Sequence, residues 1–292
     1  MDLSMFGADS PLLPWWPLIA GVLGAIVGSF LNVVILRLPP RLEWSWRQQA
    51  REFLGQSAVA GESAPPSLVL ARSQCPACQA PIRWYQNVPI VSWLALRGRC
   101  ASCRTAISWQ YPLVEAVTAA ASLAVALKFG WSFEAVAALG FTWTLIALCG
   151  IDFRTQLLPD QITLALLWAG LLLSLRPLWL TPDQAIVGAT VGYLSLWSVF
   201  WLFKLVTGKD GLGYGDFKLL AALGAWLGVV ALLPIVLIAS VAGAVIGGAW
   251  LAIRHRGESK PFAFGPYLAI AGWIQLMAGD WLLARYYGWM GL

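Results

Sequence analysis

Two aspartates lie at the ends of long apolar segments, Asp152 in IDFRTQLLPD and Asp216 in GLGYGDFK. Ionisable groups at membrane depth are costly, so residues of this kind are candidates for function. Two carboxylates at one site can share a proton and activate a water molecule to attack an amide bond. The alternative interpretation is that Asp216, which precedes an apolar segment, and Asp160, which follows Pro159, cap helices. The residue types alone leave both interpretations open.

Glycines alternate directly before the second aspartate, at positions 211, 213 and 215. Because glycine lacks a Cβ atom, such a segment lets another backbone approach closely. A protease holds its substrate extended beside the catalytic groups, so we expect Gly213 and Gly215 to form a substrate loop next to Asp216. A flexible turn between two helices is the alternative.

Four of the five cysteines form two CxxC pairs with the spacing C-x₂-C-x₂₁-C-x₂-C, namely Cys75, Cys78, Cys100 and Cys103. Two such pairs can place four thiolates tetrahedrally around Zn²⁺. Four protein ligands leave no open position, so the metal would be structural. The alternatives are two disulfides or four free thiols, and a cytoplasmic location would disfavour disulfides because that compartment is reducing.

The elements that must position these residues are predicted to be membrane helices. Hydrophobic residues make up 59% of the 292-residue chain and charged residues only 11%, whereas a soluble protein carries about a quarter charged residues. The 18 tryptophans fit the same class, because tryptophan favours membrane interfaces. We therefore predict an all-α polytopic membrane protein embedded in a lipid bilayer, with no nucleic-acid partner. A chain with one histidine also excludes a zinc-protease site built on two histidines.

Apolar segments long enough for a membrane helix set the number of crossings. Each crossing needs about 20 mostly apolar residues. By this measure the chain has about eight predicted spans, at 15–36, 113–129, 133–151, 161–180, 184–206, 217–231, 233–253 and 265–285. Pro234 is the only break between the two spans that follow Asp216.

The basic residues predict the orientation of these spans. All lysines and arginines except Lys128, Arg176 and Arg285 fall on one side of the predicted membrane. The positive-inside rule makes that side cytoplasmic and favours an even number of spans. Asp152 then ends the third span and Asp216 begins the sixth, so both return to the cytoplasmic face, where they can meet.

One long polar segment joins the first two spans. It begins with RLEWSWRQQAREFLG, which places Leu42, Trp46, Ala50 and Phe53 on one face of an amphipathic helix at the membrane surface. The cysteine pairs follow in the same segment. We therefore predict three parts: 1–36 as a periplasmic N-terminus with the first span, 37–111 as a cytoplasmic zinc-binding loop domain, and 112–292 as a seven-helix membrane core.

The motifs together resemble those of the bacterial type IV prepilin peptidases, which belong to the GxGD aspartic proteases. The matching stretches run in order along nearly the whole chain: GSFLNVVILRLP, the two CxxC pairs, WYQNVPIVSWLALRGRC, YPLVE, IDFRTQLLPD, GYGDFKLLAALGAWLG and FGPYLAIAGW. The resemblance carries the catalytic role onto Asp152 and Asp216 and the zinc-binding role onto the four cysteines.

This resemblance implies a bifunctional enzyme of the bacterial inner membrane. Such enzymes cleave the basic leader from type IV prepilins and type II secretion pseudopilins at the cytoplasmic face. They then N-methylate the new N-terminal residue with S-adenosyl-L-methionine. Residues 37–111 contain no Rossmann-type glycine fingerprint, so the sequence does not predict which residues bind this cofactor.

Two other classes of function stay open at this point. A proton-coupled transporter could use Asp152 and Asp216 as a relay, but it would need further polar residues along its spans, and few occur beyond Glu115. A non-catalytic assembly protein of a secretion or pilus machine could use the cysteine loop for docking. An Asp216→Asn substitution separates the classes, because an assembly protein would keep its function.

Overall fold

Helices account for nearly all of the regular structure in the computed structural model, which describes residues 13–57, 62–69, 71–176, 178–209, 211–253 and 263–290. The first twelve residues of the predicted periplasmic N-terminus lie outside this described part. The described residues form nine α-helices: α1 (Trp16–Phe53), α2 (Val91–Ala95), α3 (Gln110–Phe129), α4 (Phe133–Thr155), α5 (Asp160–Ser174), α6 (Pro182–Thr207), α7 (Tyr214–Leu227), α8 (Val229–Ile253) and α9 (Gly265–Met290).

The helices match the predicted spans in number. Each of the eight predicted spans corresponds to one helix, and only the short α2 has no counterpart. Among the described residues, α1, α3, α4, α6 and α8 are long and apolar enough to cross a membrane, while α5 is apolar but shorter. The prediction of an all-α multi-pass membrane protein is therefore confirmed.

The break between α7 and α8 differs from the prediction. It falls at Gly228, which adopts a φ of 79°, and not at Pro234, which lies inside α8. Glycine ends a helix at no steric cost in this conformation. Pro234 removes a single helical hydrogen bond, so α8 continues through it.

The first helix is longer than predicted. The amphipathic helix expected after residue 41 is continuous with the first span in the 38-residue α1, which contains Pro39 and Pro40. Arg37 donates hydrogen bonds to the carbonyl oxygens of Ser67 and Ala71 over 2.9 Å each, and so ties this part of α1 to the following loop. The predicted helix is therefore present as a continuation of the first span, because two prolines weaken a helix without always ending it.

The chain forms two compact units, 1–147 and 148–292, with the boundary inside α4. In the first unit α1 packs closely on α3. A Cβ atom at Gly24 would lie 2.7 Å from the Thr118 carbonyl oxygen, and one at Gly28 would lie 2.8 Å from Glu115 Cα. Gly24 and Gly28 form a GxxxG pair, and the absence of their Cβ atoms lets α1 and α3 pack closely. The three-part division of the sequence stays a prediction.

The second unit is centred on α7. This helix has 14 residues and is buried almost throughout, from Asp216 to Trp226. The backbones of Gly188 on α6 and Gly224 on α7 are in direct contact, leaving no room for a Cβ atom on either residue. Trp226 donates a 2.8 Å hydrogen bond to the Leu166 carbonyl oxygen on α5. The C-terminal half of α7 is therefore packed tightly against α5 and α6, and this anchors the helix whose first turn carries Asp216.

Candidate active site and metal centre

Asp216 lies in the first turn of α7 and its carboxylate caps that helix. The Gly213 backbone N–H donates to Asp216 Oδ2 over 3.3 Å, and the Asp216 N–H donates to the Gly213 carbonyl oxygen over 3.1 Å. Gly213 is the N-cap residue. Asp216, three residues later, completes the cap with its side chain, which accepts a hydrogen bond from the Gly213 N–H. Its side chain is nonetheless only 7% exposed. Capping and a catalytic role are therefore compatible, because a carboxylate at a helix N-terminus is favoured as the anion.

Asp152 lies close to the C-terminal end of α4 and is 4% exposed. Its Oδ2 atom is buried and has no hydrogen-bond partner among the described residues. A buried polar atom without a partner costs free energy, and native proteins keep such atoms mainly where they have a role. This unpaired oxygen makes Asp152 the stronger candidate for direct contact with a substrate or a water molecule.

The two aspartates meet in the second unit around one leucine. A Cβ atom at Gly265 would lie 2.6 Å from Asp152 Oδ2 and 3.0 Å from Leu158 Cδ1, and one at Gly215 would lie 2.7 Å from Leu158 Cβ. Leu158 thus packs against the residue next to Asp216 and against the glycine that borders Asp152. The carboxylate of Asp152 also interacts electrostatically with that of Asp216. The structure therefore brings the two predicted residues together.

The predicted loop glycines have different surroundings. Gly215 lies inside α7 and lacks a Cβ because Leu158 occupies that space, so packing alone accounts for it. Gly213 is exposed and a Cβ there would meet Asp216 Oδ2 at 3.5 Å. Sequence reasoning missed Gly265 and Leu158. Gly265 could have been noticed in the sequence because a proline follows it, and proline is common at the first position of a helix.

Asp160 does not act as the predicted cap. It is the first residue of α5, and its two carboxylate oxygens lie 2.6 and 2.7 Å from Lys218 Nζ. Lys218 follows Asp216 by two residues on α7. The ion pair therefore links the N-termini of α5 and α7, although it is partly exposed and contributes about 0–1 kcal/mol at such a position.

The four predicted cysteines form one cluster in the first unit. All four Sγ atoms lie within 4.8 Å of one another. The Sγ atoms of Cys75 and Cys103 are 3.8 Å apart, and those of Cys78 and Cys100 are 4.0 Å apart. None is in a disulfide. Tetrahedral coordination with metal–sulfur bonds near 2.3 Å requires sulfur–sulfur distances of about 3.8 Å, so this cluster could hold a metal ion.

Both CxxC turns have the same backbone geometry. The Cys75 carbonyl accepts from the N–H of residue 79 and the Cys75 N–H donates to the carbonyl of residue 80; Cys100 repeats the pattern with residues 104 and 105. Gln79 and Arg104 share a left-handed conformation, with φ values of 56° and 61°. This repetition shows that the sequence builds two equivalent turns that face each other across the cluster.

The loop also adjusts the acidity of the thiols. Backbone hydrogen bonds from Cys78 and Ala77 lower the pKa of Cys75, and hydrogen bonds with Thr105 lower the pKa of Cys103 to about 6. The Ala80 backbone lowers the pKa of Cys78, but the other thiols outweigh it and raise that pKa to about 11. Thiolates are the form that binds metal, so part of the cluster is already prepared for it.

Comparison with known proteins gives matches along almost the whole chain. Residues 22–129 match the sequence model of the bacterial peptidase A24 N-terminal domain, and residues 139–248 match that of the type IV leader peptidase family. The four cysteines fall in the first match and both buried aspartates in the second. No solved structure was found to match.

Curated relatives are similar over nearly their full length. A protein of Stutzerimonas stutzeri is 51% identical over 281 residues, covering 96% of each chain. One from Xanthomonas campestris pv. campestris is 48% identical over 277 residues, covering 95% of this chain and 96% of the relative. One from Pseudomonas aeruginosa is 51% identical over 270 residues, covering 92% and 93%. All three are named prepilin leader peptidase/N-methyltransferase.

Proposed function

The chain belongs to the type IV leader peptidase family, and on that premise we propose that Asp152 and Asp216 form its catalytic dyad. The enzyme cleaves the leader peptide from prepilins and N-methylates the new N-terminus, as the names of relatives at 48–51% identity state. The observation that carries the assignment of the dyad is the pair of buried, electrostatically interacting carboxylates around Leu158 and Gly265.

Peptide cleavage by this pair follows from one shared proton. The ionised carboxylate takes a proton from water as the water oxygen attacks the scissile carbonyl, and the protonated carboxylate donates its proton to the carbonyl oxygen. When the tetrahedral intermediate collapses, the C–N bond breaks and the departing amine takes a proton from the first carboxylate. The diol returns a proton to the second carboxylate, so the dyad regains its one-proton state.

The residues around the two aspartates have sizes that suit this chemistry. Gly265 has no side chain, which leaves room for the Asp152 carboxylate, and Leu158 covers one side of the site. Gly213 is exposed and its N–H holds Asp216 Oδ2. We assign Gly213 to the loop along which the extended leader reaches the dyad, whereas Gly215, which lies inside α7, serves to let Leu158 pack beside Asp216.

The cysteine cluster is proposed to hold structural zinc. Four thiolate ligands fit Zn²⁺, and the observed sulfur–sulfur distances of 3.8 and 4.0 Å fit its tetrahedral site. The loop around the cluster has few buried apolar residues; among its cysteines only Cys75 and Cys100 are buried. Metal binding in such a segment supplies folding free energy that a small core does not.

The second activity requires a methyl donor. S-adenosyl-L-methionine supplies an electrophilic methyl group when bound, and the protein positions the neutral amine of the cut pilin against it. The proposed substrates of both reactions are type IV prepilins and type II secretion pseudopilins. The proposed location is the bacterial inner membrane, with the active site on the cytoplasmic face, as the distribution of lysine and arginine favours.

Membranes that contain the chain test this assignment directly. We expect them to shorten a prepilin in vitro, and we expect Asp152→Asn and Asp216→Asn to abolish that activity while Asp160→Asn retains it. Unchanged cleavage in both buried-aspartate variants would remove the dyad from the mechanism. A transporter or a non-catalytic assembly protein would leave the prepilin intact even in the wild type.

A further inference from the structure

A cavity of about 570 Å³ opens in the first unit, between α1 and the loop that precedes α2. We call it the α1–loop cavity. One wall is the face of α1 from Ile26 to Arg37. The other consists of two loop segments, the first with residues 68, 69 and 71–73 and the second with residues 84 and 87–89. Its volume lies in the range of about 300–1,000 Å³ that is typical of cofactor and small-ligand sites.

Hydrogen bonds between α1 and the loop, and within the loop, hold the walls of the cavity in place. Arg37 holds the first loop segment on α1 through the carbonyl oxygens of Ser67 and Ala71. The two loop segments flank the first CxxC turn, and the Ile82 N–H donates to the Ser73 carbonyl oxygen over 2.9 Å directly beside it. The cavity thus depends on the same turn that carries Cys75 and Cys78.

Aromatic and cationic groups line the loop side of the cavity. The indole of Trp84 is 83% exposed and offers a flat surface on which a nucleobase can stack. Arg72 also lines the cavity, and its guanidinium has no hydrogen-bond or ion-pair partner among the described residues. Such a group is suited to bind a carboxylate.

A buried acidic side chain stands behind the opposite wall. Ser29 on α1 lines the cavity and hydrogen-bonds the carboxyl group of Glu115 on α3. Glu115 is 7% exposed, and its Oε2 accepts a 2.7 Å hydrogen bond from the Ile90 N–H. Ile90 has a φ of 61°, a strained conformation for a β-branched residue. These contacts fix a polar carboxyl group behind the end of the cavity that Ser29 lines.

We propose that the α1–loop cavity is the binding site for S-adenosyl-L-methionine. This ligand combines a flat adenine, a carboxylate and a cationic sulfonium, and the cavity offers an exposed indole, a free guanidinium and a nearby buried carboxyl group. The inference rests on the proposed N-methyltransferase function and assigns it to a place within the first unit. A site of this kind needs no Rossmann-type glycine fingerprint, because the methyl donor lies between a membrane helix and the loop that carries the cysteine cluster.

Binding of radiolabelled S-adenosylmethionine to the purified, detergent-solubilised full chain tests the proposal. The cavity variants are Trp84→Ala and Arg72→Gln. The matched controls are Trp109→Ala, at the residue before α3, and Arg83→Gln, at the residue before Trp84. Both side chains are exposed and neither lines the cavity. We expect the cavity variants to bind at least about tenfold more weakly, the controls to bind as the wild type does, and all four to cleave prepilin normally.

The possible results distinguish the proposed binding site from the methyltransferase function itself. Cavity variants that cleave prepilin and bind the donor as tightly as the wild type would overturn the assignment of the cavity while leaving the methyltransferase function intact. A wild type that cleaves prepilin but binds no donor would overturn that function together with the site. Ultraviolet cross-linking of the labelled donor, followed by peptide mapping, gives an independent readout. Labelled peptides from 26–37 or 68–89 support the proposal, and labels confined to 148–292 contradict it.

Discussion

Gly265 stands against the carboxylate of Asp152, where a Cβ atom would lie 2.6 Å from Oδ2. Real Cβ atoms do not approach an oxygen that closely, so any larger residue at 265 must displace the Asp152 side chain or the start of α9. The Gly265 backbone also hydrogen-bonds the Asp152 carboxyl group. The position of this carboxylate therefore depends, through packing and a hydrogen bond, on a residue 113 positions away in the sequence.

A Gly265→Ala substitution should lower prepilin cleavage by about tenfold or more, because a shift of about 1 Å in a catalytic group is costly. Gly248→Ala is the matched control, since a Cβ atom there meets no neighbour within 4 Å. The measurement is the rate of leader removal in membranes with equal amounts of each protein. Equal rates for the two variants would show that cleavage does not depend on the close approach of Gly265 to Asp152.

The buried aspartates should be required for cleavage alone. Asp152→Asn and Asp216→Asn keep the side-chain shape but cannot share a proton, so leader removal should fall by about a thousandfold or more. Both variants should still methylate a pilin that is supplied already cut, measured as label transferred from S-adenosylmethionine. If both lose methylation as completely as cleavage while staying folded, the two reactions share one site.

Asp160, an exposed acidic residue near the two buried aspartates, provides a control for their substitutions. Asp160→Asn removes the ion pair with Lys218 but no buried carboxylate, so its cost in unfolding free energy should stay below about 1 kcal/mol. Cleavage should remain within a few-fold of the wild type. A loss as large as that of Asp216→Asn would instead make the Asp160–Lys218 pair part of the catalytic arrangement.

The cysteine cluster should hold about one zinc ion per chain. Elemental analysis of the purified protein should find it in the wild type and in Cys149→Ala, whose cysteine lies outside the cluster. Cys75→Ser and Cys100→Ser should lose it. Because the first CxxC turn joins the two loop walls of the α1–loop cavity, both variants should also bind S-adenosylmethionine more weakly. A folded wild type without metal would refute the zinc assignment.

Close packing of α6 on α7 should matter for stability. Gly224→Val places a side chain where Gly188 backbone atoms are in contact, and overpacking of this kind costs about 1–3 kcal/mol. Thermal unfolding in detergent should therefore occur at a lower temperature than for the wild type or Gly248→Ala. An unchanged unfolding temperature would mean that the two helices separate easily.

The sequence predicted the chemistry better than the geometry that positions it. The cysteine spacing identified the cluster because both CxxC turns are local structures. Counting spans placed Asp152 and Asp216 on one face, since hydropathy and basic residues suffice for that. Gly265, Leu158 and the unbroken α1 were missed because they depend on contacts between residues far apart in the sequence. The α1–loop cavity was beyond prediction for the same reason, as its walls come from three separate segments.

The short lengths of α5 and α7 bear on how deep in the bilayer the substrate bond is cut. At 1.5 Å per residue, 15 and 14 residues extend only about 21–23 Å, less than the hydrocarbon thickness of about 30 Å. The Asp160–Lys218 contact places the N-termini of the two helices side by side. Because α7 is buried almost throughout, it is the partly exposed α5 whose short length creates a hydrophobic mismatch, and such a mismatch favours local thinning of the bilayer beside Asp216. A substrate helix that enters this thinned zone loses its lipid environment there, which favours unwinding of the segment to be cleaved.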